Sequence, residues 1–334
     1  MAGPHKSLKT STLIDAAISL ATARPWLGRL HVPEAARVLV MSGESGMATI
    51  QETAKRIAAA KGFDLAQITG LVWSPDVPRF GNAAHGDALR KMLVDDEIEV
   101  VFIDPAYLAM PGADAGNLMV QGAMLRAFAE VCADVGATLA IAHHTKRNTL
   151  TPKNEPIELS DIAWAGFAEF ARQWWLLNRR ERYAEGTGLH KLWLSLGGSA
   201  GHSSLWAVDA SEGVRGDDGG RHWEVTTENG WALMERERTE ERSAKSDERE
   251  RRAQERRDKD CTAAWTALAE HPDGATVAQI GHEIGINNGR ARAALDSLVA
   301  GELAELVEVT RGNGQKYPGY RRPEPATEGA SDAA

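Results

Sequence analysis

The feature that most constrains the fold of this chain is a short loop near its amino end, with the sequence Gly-Pro-His-Lys-Ser-Leu-Lys-Thr-Ser over residues 3–11. An apolar run with helical character follows it, from Leu13 to Leu20. Backbone N–H groups in such a loop, with the positive end of the following helix, can surround the phosphates of a nucleotide. The spacing follows the pattern G-x-x-x-x-G-K-[ST] except at Leu8, where a second glycine is usual. The alternative is an ordinary helix N-terminus that is rich in Lys and Ser.

The loop therefore predicts a phosphate site in which two side chains have distinct roles. Lys9 would reach the terminal phosphates, and the hydroxyl of Thr10 would hold Mg²⁺. The residues predicted to contact the nucleotide are Gly3, Lys6, Ser7, Leu8, Lys9, Thr10 and Ser11.

Length and composition indicate an ordinary globular protein. The 334 residues suffice for about two domains, since single cores rarely grow beyond about 250–300 residues. Apolar residues make up 43% of the chain and charged residues 25%, which is typical of this class. The net charge of −9 argues against a surface that binds nucleic acid nonspecifically over its whole extent, although it leaves room for a local basic patch.

The cysteines and the apolar runs bear on the compartment. Cys132 and Cys261 are the only cysteines in the sequence, and we expect both to be free thiols in a reducing cytoplasm. No apolar segment reaches 18 residues, and no secretory leader pattern opens the sequence. We therefore expect a soluble, cytoplasmic protein without a membrane partner.

Short apolar runs alternate with amphipathic segments in the first part of the chain. Strands separated by helices of this length predict an α/β fold with a mainly parallel sheet and right-handed crossovers. Ligands of such sheets bind beyond the carboxyl ends of the strands, where Glu44, Asp104 and the pair His143-His144 are predicted to lie. The predicted strands are 37–41, 71–73, 99–104 and 138–142, and the predicted helices are 50–60, 86–94 and 117–135.

Two carboxylates at predicted strand ends suit the chemistry of a nucleotide. Asp104 would hold Mg²⁺ through its water shell, because Mg²⁺ keeps several waters and takes only one or two carboxylates. Glu44 would orient or activate the water that attacks the terminal phosphate. The alternatives are a capping or turn role for Asp104 and a turn role for Glu44 within Ser-Gly-Glu-Ser-Gly.

Histidines and cationic residues complete the predicted catalytic set. One of His143 and His144 would contact or sense the terminal phosphate, and the other would form hydrogen bonds within the fold. A metal site at this pair is disfavoured, because no companion ligand lies at metal-site spacing. The candidates for a positive charge delivered to the phosphates, across a subunit interface if the chain assembles, are Arg172, Arg179, Arg180 and Lys191. We retain Arg172 and Lys191 as predicted catalytic residues, since residues 179–182 could equally be an exposed loop.

The first predicted domain spans residues 1–233, and a linker follows at 234–260. The linker is mostly charged with both signs nearly balanced, so it predicts a solvated helix or a disordered segment instead of a packed core. The later elements predicted for the first domain are a helix at 161–177, a hairpin of 191–195 with 204–208, and a hairpin of 223–226 with 231–233 around Asn229-Gly230.

A small α+β domain is predicted for residues 261–322, and a disordered tail for 323–334. Three helices followed by a hairpin are typical of a winged-helix module, whose third helix would be the recognition helix. Because the module is close to neutral, and because winged helices also dock on proteins, both DNA and protein stay open as its partner. The predicted elements are helices at 261–269, 276–284 and 287–299 and a hairpin of 304–309 with 315–317. The residues that could meet DNA phosphates are Arg290, Arg292, Arg311, Lys316, Arg321 and Arg322.

The motifs of the first domain resemble those of the RecA-type P-loop ATPases in the RepA-like (AAA family) replicative helicase group. The resemblance covers roughly residues 3–210 and leaves out the predicted winged helix. The matching pieces, in the order of that family, are the loop at 3–11, Ser-Gly-Glu-Ser at 42–45, Phe-Ile-Asp-Pro at 102–105 and Ala-His-His-Thr-Lys at 142–146.

This resemblance implies a RecA-like core and a set of roles for matching residues. It implies ring-shaped homo-oligomers, often hexamers, with ATP between subunits. The roles that it implies are ATP binding at Lys9 and Thr10, Mg²⁺ at Asp104, catalysis by Glu44 and phosphate sensing by His143 or His144.

The chain departs from the family pattern in two places. Leu8 replaces the usual loop glycine, although the Lys9-Thr10 pair is kept. The fold also requires an apolar strand before the phosphate loop, and only Met1-Ala2 precede Gly3. We therefore expect the first strand of the sheet to be missing, as in a truncated reading frame.

The resulting functional prediction is an ATPase that acts as a DNA helicase or motor in DNA replication or in the maintenance of mobile elements. Single-stranded DNA in a ring pore, duplex DNA at the winged helix, and further copies of the chain are the predicted partners. The main alternative is a noncatalytic DNA-binding or regulatory protein with a decayed nucleotide site. A small-molecule kinase shares the phosphate loop but has no use for a DNA-type module.

Overall fold

The chain divides into two compact units, Met1–Glu235 and Arg236–Ala334, here called unit 1 and unit 2. The computed structural model of the protein describes residues 1–110, 112, 117–146, 154–216, 219–312 and 314–324.

Unit 1 alternates strands with helices up to residue 144 and is then mainly β. Its strands are β1 (Ala2–Gly3), β2 (Val38–Ser42), β3 (Leu71–Ser74), β4 (Val100–Asp104), β5 (Thr138–Ile141), β6 (His143–His144), β7 (Gln173–Arg179), β8 (Leu189–Gly198), β9 (Ser203–Gly213) and β10 (Arg221–Asn229). Its helices are α1 (Lys9–Thr22), α2 (Met47–Ala60), α3 (Ala83–Asp95), α4 (Ala106–Ala109), α5 (Leu118–Ala133) and α6 (Ala165–Phe170). Each strand and helix predicted between residues 37 and 142 is present, with its ends shifted by a few residues.

The strands of unit 1 form two sheets. In the first, β3, β2, β4 and β5 lie side by side in that order and run parallel. The second has the order β10-β9-β8-β7-β1-β6, in which β7, β1 and β6 are parallel and β7 to β10 are antiparallel. The predicted α/β class with parallel strands is therefore confirmed, and the predicted hairpin of 191–195 with 204–208 lies within β8 and β9.

The strand β2 is apolar from Val38 to Met41 because helices cover both of its faces. Val38 and Val40 pack in a cluster with residues of α1 and α2, whereas Leu39 and Met41 pack with residues of α3 and α5. Burial of each such side chain stabilises the fold by about 1.5–3 kcal/mol. This packing fixes the carboxyl end of β2 relative to the start of α1.

The first strand is very short but present, so the prediction that it is missing is wrong. Ala2 pairs with His143 on one side and with Leu176 on the other, and Gly3 pairs with His144. Gly3 is required here because a Cβ atom at this position would lie 2.6 Å from the Leu177 carbonyl oxygen. Although β1 has only two residues, its pairing with β6 and β7 holds the start of the phosphate loop at the edge of the sheet.

Beside β1, the space between β5 and the amino-terminal half of β7 forms a cavity of about 530 Å³, here called the strand slot. Among the residues that the structure describes, no strand pairs with the edge of β5 that faces away from β4, and β7 pairs with β1 only at Leu176. The slot is lined mainly by apolar side chains, among them Leu139, Ile141, Trp174 and Trp175.

Two elements of unit 1 differ from the sequence prediction. The helix predicted for 161–177 is limited to α6, and the residues from Gln173 onward form β7. The segment 231–233, predicted as a strand, begins a helix instead. The Asn229 side chain accepts a hydrogen bond from the Ala232 amide at 3.0 Å, which caps this helix and ends β10.

Unit 2 consists mainly of helices and one hairpin. The predicted linker is helical, because helix α7 (Gly230–Leu268) runs through it and across the division between the units. The other elements are α8 (Val277–Glu283), α9 (Asn288–Ala300), β11 (Glu305–Thr310) and β12 (Lys316–Arg321). Their core contains Leu268, Ile280, Leu295, Leu298 and Tyr320. Residues 325–334 of the predicted tail lie outside the described residues.

In the described parts of the chain, no helix is both long enough and apolar enough to cross a bilayer.

Candidate functional site

Four strands of unit 1, β1, β2, β4 and β6, end at one edge of the sheets and bring the predicted site residues together. Ser42 at the end of β2 is in register with Asp104 at the end of β4, and Gly3 at the end of β1 is in register with His144. Glu44 follows Ser42 directly in the chain. Because the carboxyl ends of parallel strands meet at one edge, residues that are far apart in sequence meet there.

The phosphate loop follows β1 and leads into α1 with an unusual backbone. Lys6 and Leu8 have positive φ angles of 58° and 59°, in the left-handed region that favours glycine. The Ser7 hydroxyl donates to the Pro4 carbonyl oxygen at 2.9 Å and is buried. Leu8 thus adopts the conformation for which the usual glycine is suited, and its side chain packs against the core around α1.

Lys9 is the first residue of α1 and is buried. Its Nζ donates to the Pro4 carbonyl oxygen at 2.6 Å, so the ammonium lies against the loop that it would complete. Burial lowers the pKa of Lys9 to about 8, and the negative charges of Asp104 and Glu44 offset part of this shift. Because burial destabilises this charged ammonium, binding of an anion next to it would be electrostatically favourable.

The Thr10 hydroxyl donates a hydrogen bond to Asp104, with 2.8 Å between Oγ1 and Oδ2. Burial raises the pKa of the Asp104 carboxyl, and the Glu44 charge adds to the increase, while the bond from Thr10 and the Lys9 charge oppose it. The Ser42 hydroxyl beside it is buried and has no hydrogen-bond partner in the described part of the chain. A hydroxyl and a carboxylate oxygen at one point are the ligands that Mg²⁺ prefers, so these residues fit the ion.

Glu44 lies on the exposed turn after β2, within electrostatic reach of the other site residues. Its charge raises the pKa values of Lys9, Asp104 and His144. It also raises the pKa of the Tyr107 phenol, for which burial is the larger cause. Tyr107, on α4 directly after β4, was not identified from the sequence.

The two histidines occupy different environments. His143 is buried and stacks on Phe167 with 4.2 Å between ring centroids, and Trp164 meets its ring at 5.4 Å. Burial lowers the pKa of His143 to about 4, and the neighbouring His144 contributes to the decrease. The ring nitrogens of His143 form no hydrogen bond of acceptable geometry within the described residues.

His144 is half-buried and faces the other site residues. Its ring lies 6.2 Å from that of His5 and 6.1 Å from that of Tyr107, measured between centroids. Burial lowers its pKa, Lys9 lowers it further and Glu44 opposes the decrease. Of the two histidines, His144 is therefore the one whose ring lies near His5 of the loop and whose pKa is affected by Glu44.

The predicted cationic residues are distributed along β7 and β8. Arg172 precedes the amino end of β7, whereas the site lies at the carboxyl end, so the structure does not bring Arg172 to the loop of its own chain. Lys191 forms an ion pair with Glu181 at 2.8 Å, and Arg180 forms one with Asp209. Arg179 is the cationic residue that touches the loop, since its Nη2 donates to the Lys6 carbonyl oxygen.

In unit 2, several cationic residues predicted to meet DNA are bound to partners within that unit. Arg290 pairs with Asp260 at 2.7 Å, Lys316 with Glu308 at 2.9 Å and Arg321 with Glu305 at 2.6 Å. The guanidinium of Arg311 lies over Tyr317 and that of Arg322 over Trp265. Arg292 is exposed on α9.

The fold and the site define an α/β protein with a phosphate loop, a strand-end Asp and a turn Glu at one edge of the sheet, as in a P-loop nucleoside-triphosphatase core. Comparison with protein families is consistent with this class, since residues 1–149 match the family model described as an AAA domain. The match supports an AAA-type, nucleotide-binding ATPase domain in this part of the chain. Comparison with curated proteins finds no match.

Proposed function

We propose that this protein binds ATP with Mg²⁺ at residues 3–11 and hydrolyses it, and that it acts as a DNA motor or helicase of the RepA-like group. The observation that carries the proposal is the convergence of Lys9, Thr10, Asp104 and Glu44 at one sheet edge. Each is of the residue type that phosphoryl transfer to water requires. The family match of residues 1–149 supports the ATPase part of the proposal.

ATP would be bound by the backbone N–H groups of the loop and by Lys9. Because the Lys9 ammonium now donates to the Pro4 carbonyl, binding exchanges this neutral acceptor for charged phosphate oxygens, which form stronger hydrogen bonds. Thr10 and Asp104 would hold Mg²⁺, which when bound neutralises negative charge on the phosphate oxygens. Lys9 contributes a second positive charge on the side of the loop.

Glu44 would position the attacking water for hydrolysis. Its carboxylate accepts a hydrogen bond from the water, orients the water oxygen toward the terminal phosphorus and receives the proton as the new P–O bond forms. His144, half-buried between His5 and Tyr107, would contact the terminal phosphate and sense its loss. The buried His143 would support this region by packing on Phe167.

The assembly and the DNA contacts are the finer parts of the proposal. Arg172 and Lys191 would reach the nucleotide of a neighbouring subunit in a ring, often a hexamer, with single-stranded DNA in its pore. Unit 2 would act as a winged helix that meets duplex DNA through α9, where Arg292 is exposed. The motor would serve DNA replication or the maintenance of mobile elements.

The test compares ATP turnover and ATP binding of the wild-type chain with those of Glu44→Gln and Lys9→Ala. We expect Glu44→Gln to bind ATP but to lose turnover by a factor of about 100 or more, and Lys9→Ala to lose binding. Glu130→Gln, an exposed carboxylate on α5, is the matched control and should behave as wild type. If Lys9→Ala bound ATP as tightly as the wild type, the assignment of the ATP site to residues 3–11 would be wrong.

The motor part needs a separate measurement on the same proteins. We expect single-stranded DNA to stimulate ATP turnover of the wild type. Turnover that is identical without DNA, with single-stranded DNA and with duplex DNA would contradict a DNA motor while leaving the ATPase assignment intact.

A further inference from the structure

Arg179 is a partly buried cation that contacts the phosphate loop within the same chain. It is the last residue of β7, and β7 runs parallel to β1, so both strands end at the same sheet edge. Its Nη2 donates to the carbonyl oxygen of Lys6, a loop residue with a positive φ angle. The guanidinium is therefore joined to the segment that would surround a nucleotide's phosphates.

The charge of Arg179 has no carboxylate partner among the residues that the structure describes. Its Nη1 is buried and forms no hydrogen bond there, whereas neighbouring Arg180 pairs with Asp209 and nearby Lys191 with Glu181. Taking a cation out of water costs free energy unless an anion or acceptor compensates for it. An uncompensated guanidinium beside a phosphate loop therefore indicates an anionic ligand.

Aromatic packing fixes the orientation of this guanidinium. Its Cζ lies 5.2 Å from the centroid of the Tyr183 ring, and Tyr183 stacks on buried His190 with 4.6 Å between centroids and 8° between ring planes. The ring contacts one face of the guanidinium, while its N–H groups point outward in the guanidinium plane. This arrangement suits phosphate oxygens, which arginine recognises through in-plane N–H groups.

We propose that Arg179 binds the phosphates of the ATP held by its own chain, and so supplies in cis a positive charge that the chain was otherwise expected to receive from a neighbouring subunit. The inference rests on the proposed ATP site and names a further residue of that site. The guanidinium donates to the Lys6 carbonyl oxygen, and a phosphate oxygen offers it a charged acceptor in addition.

The experiment measures the affinity for ATP and for ADP, each with Mg²⁺, in Arg179→Gln, Arg179→Lys and the wild type. The Gln amide can still donate to the Lys6 carbonyl but carries no charge, whereas Lys keeps the charge without the planar fork. We expect Arg179→Gln to weaken ATP binding by about tenfold or more, and Arg179→Lys to weaken it less. Arg182→Gln, which removes an exposed positive charge three residues later, should bind as wild type.

A loss that is equal in Arg179→Gln and Arg179→Lys, or no loss in either, would overturn the inference. The first result would mean that the charge of residue 179 does not account for the loss. If Lys9→Ala loses ATP binding while Arg179→Gln keeps it, the proposed function stands and this inference alone fails. If Lys9→Ala keeps ATP binding, the proposed function itself fails.

Mixing two variants separates a contact within one chain from a contact between chains. In an equimolar mixture of Arg179→Gln and Lys9→Ala, a contact between chains would restore tight ATP sites, because each variant supplies what the other lacks. We expect no recovery, since the intact Arg179 and the intact Lys9 lie on different chains. Recovery of tight binding would overturn the assignment in cis.

Discussion

The Thr10 hydroxyl donates a hydrogen bond to the Asp104 carboxylate, with 2.8 Å between the two oxygens, and so joins the start of α1 to the end of β4. The two residues are 94 positions apart in the sequence. Burial and the nearby Glu44 charge both raise the pKa of Asp104, so this carboxylate is held at an energetic cost. A bound cation would remove that cost, which is the physical reason for assigning the ion to this pair.

Asp104→Asn is expected to abolish the Mg²⁺ dependence of ATP binding without lowering thermal stability. The amide oxygen can still accept the bond from Thr10, and a buried negative charge is removed, so the melting temperature should be unchanged or higher. ATP affinity measured with and without Mg²⁺ should become equal. Asp87→Asn, an exposed carboxylate on α3, should keep the wild-type dependence. A variant that melts at a lower temperature would show that the carboxylate has a structural role.

The affinity for ATP is expected to fall above pH 8 because of Lys9. In the free protein burial lowers the pKa of Lys9 to about 8, below its ordinary value of 10.5, so Lys9 loses its proton as pH rises through about 8. Phosphates bind the protonated form and raise this pKa. Affinity should therefore be constant below pH 8 and should fall by up to about tenfold per pH unit above it.

Calorimetry in buffers of different ionisation enthalpy checks this expectation, because ATP binding near pH 9 should take up about one proton. Lys9→Arg is the control, since arginine stays charged throughout this range. A wild-type affinity that is flat from pH 7 to pH 10 would contradict the lowered pKa.

The residues that end parallel strands were predictable from the sequence, and the later strands were not. The runs before Glu44, Asp104 and His143 are short and apolar with turn residues after them, which is the signal of a buried parallel strand. The segment Trp174-Trp175-Leu176-Leu177 has the same composition, yet it follows a helical pattern without a clear break and was assigned to a helix. Only its pairing with β1 and β8 makes it a strand, and that pairing is not visible in the local sequence.

The contact between Arg179 and the loop was also beyond the reach of sequence reasoning. Arg179 was one of several cationic candidates, and nothing in the pattern distinguishes it from Arg180 beside it. Successive residues of a strand point to opposite faces, so one of the two reaches the loop and the other pairs with Asp209. Which of the two does so depends on the register between β7 and its neighbours.

Leu8 is expected to tolerate glycine better than alanine. With φ at 59° its backbone is in a region that costs a non-glycine residue about 1–2 kcal/mol, while its side chain packs against the core around α1. Leu8→Ala keeps the strain and loses the packing, so it should lower the free energy of unfolding by about 1 kcal/mol. Leu8→Gly loses the packing but relieves the strain and should lie closer to wild type, as measured by urea denaturation. A glycine variant less stable than the alanine variant would show that Leu8 is not strained.

The strand slot beside β1 is bordered by an edge of β5 that no strand pairs with among the described residues. The Met1 amino nitrogen donates to the Ile141 carbonyl oxygen at 2.7 Å, as the amide of a paired strand would. Burial lowers the pKa of this amino group from 8.0 to about 5, so at pH 7 it is neutral in the folded protein and mostly charged in the unfolded chain. That difference costs about 1 kcal/mol of stability at pH 7, a cost that grows as pH falls toward 5 and vanishes above pH 8.

Adding about four apolar, β-branched residues ahead of Met1 is therefore expected to raise the melting temperature. The addition turns the buried amine into an amide, pairs with the parts of β5 and β7 that have no strand partner among the described residues, and fills a cavity of about 530 Å³ with apolar side chains. An addition of equal length made of Gly and Ser removes the amine but packs poorly, so it should recover only the part of the gain that depends on pH. The apolar addition should keep an advantage at pH 9, where the amine no longer matters. Equal melting temperatures for the two additions at every pH would show that the slot does not accept a strand.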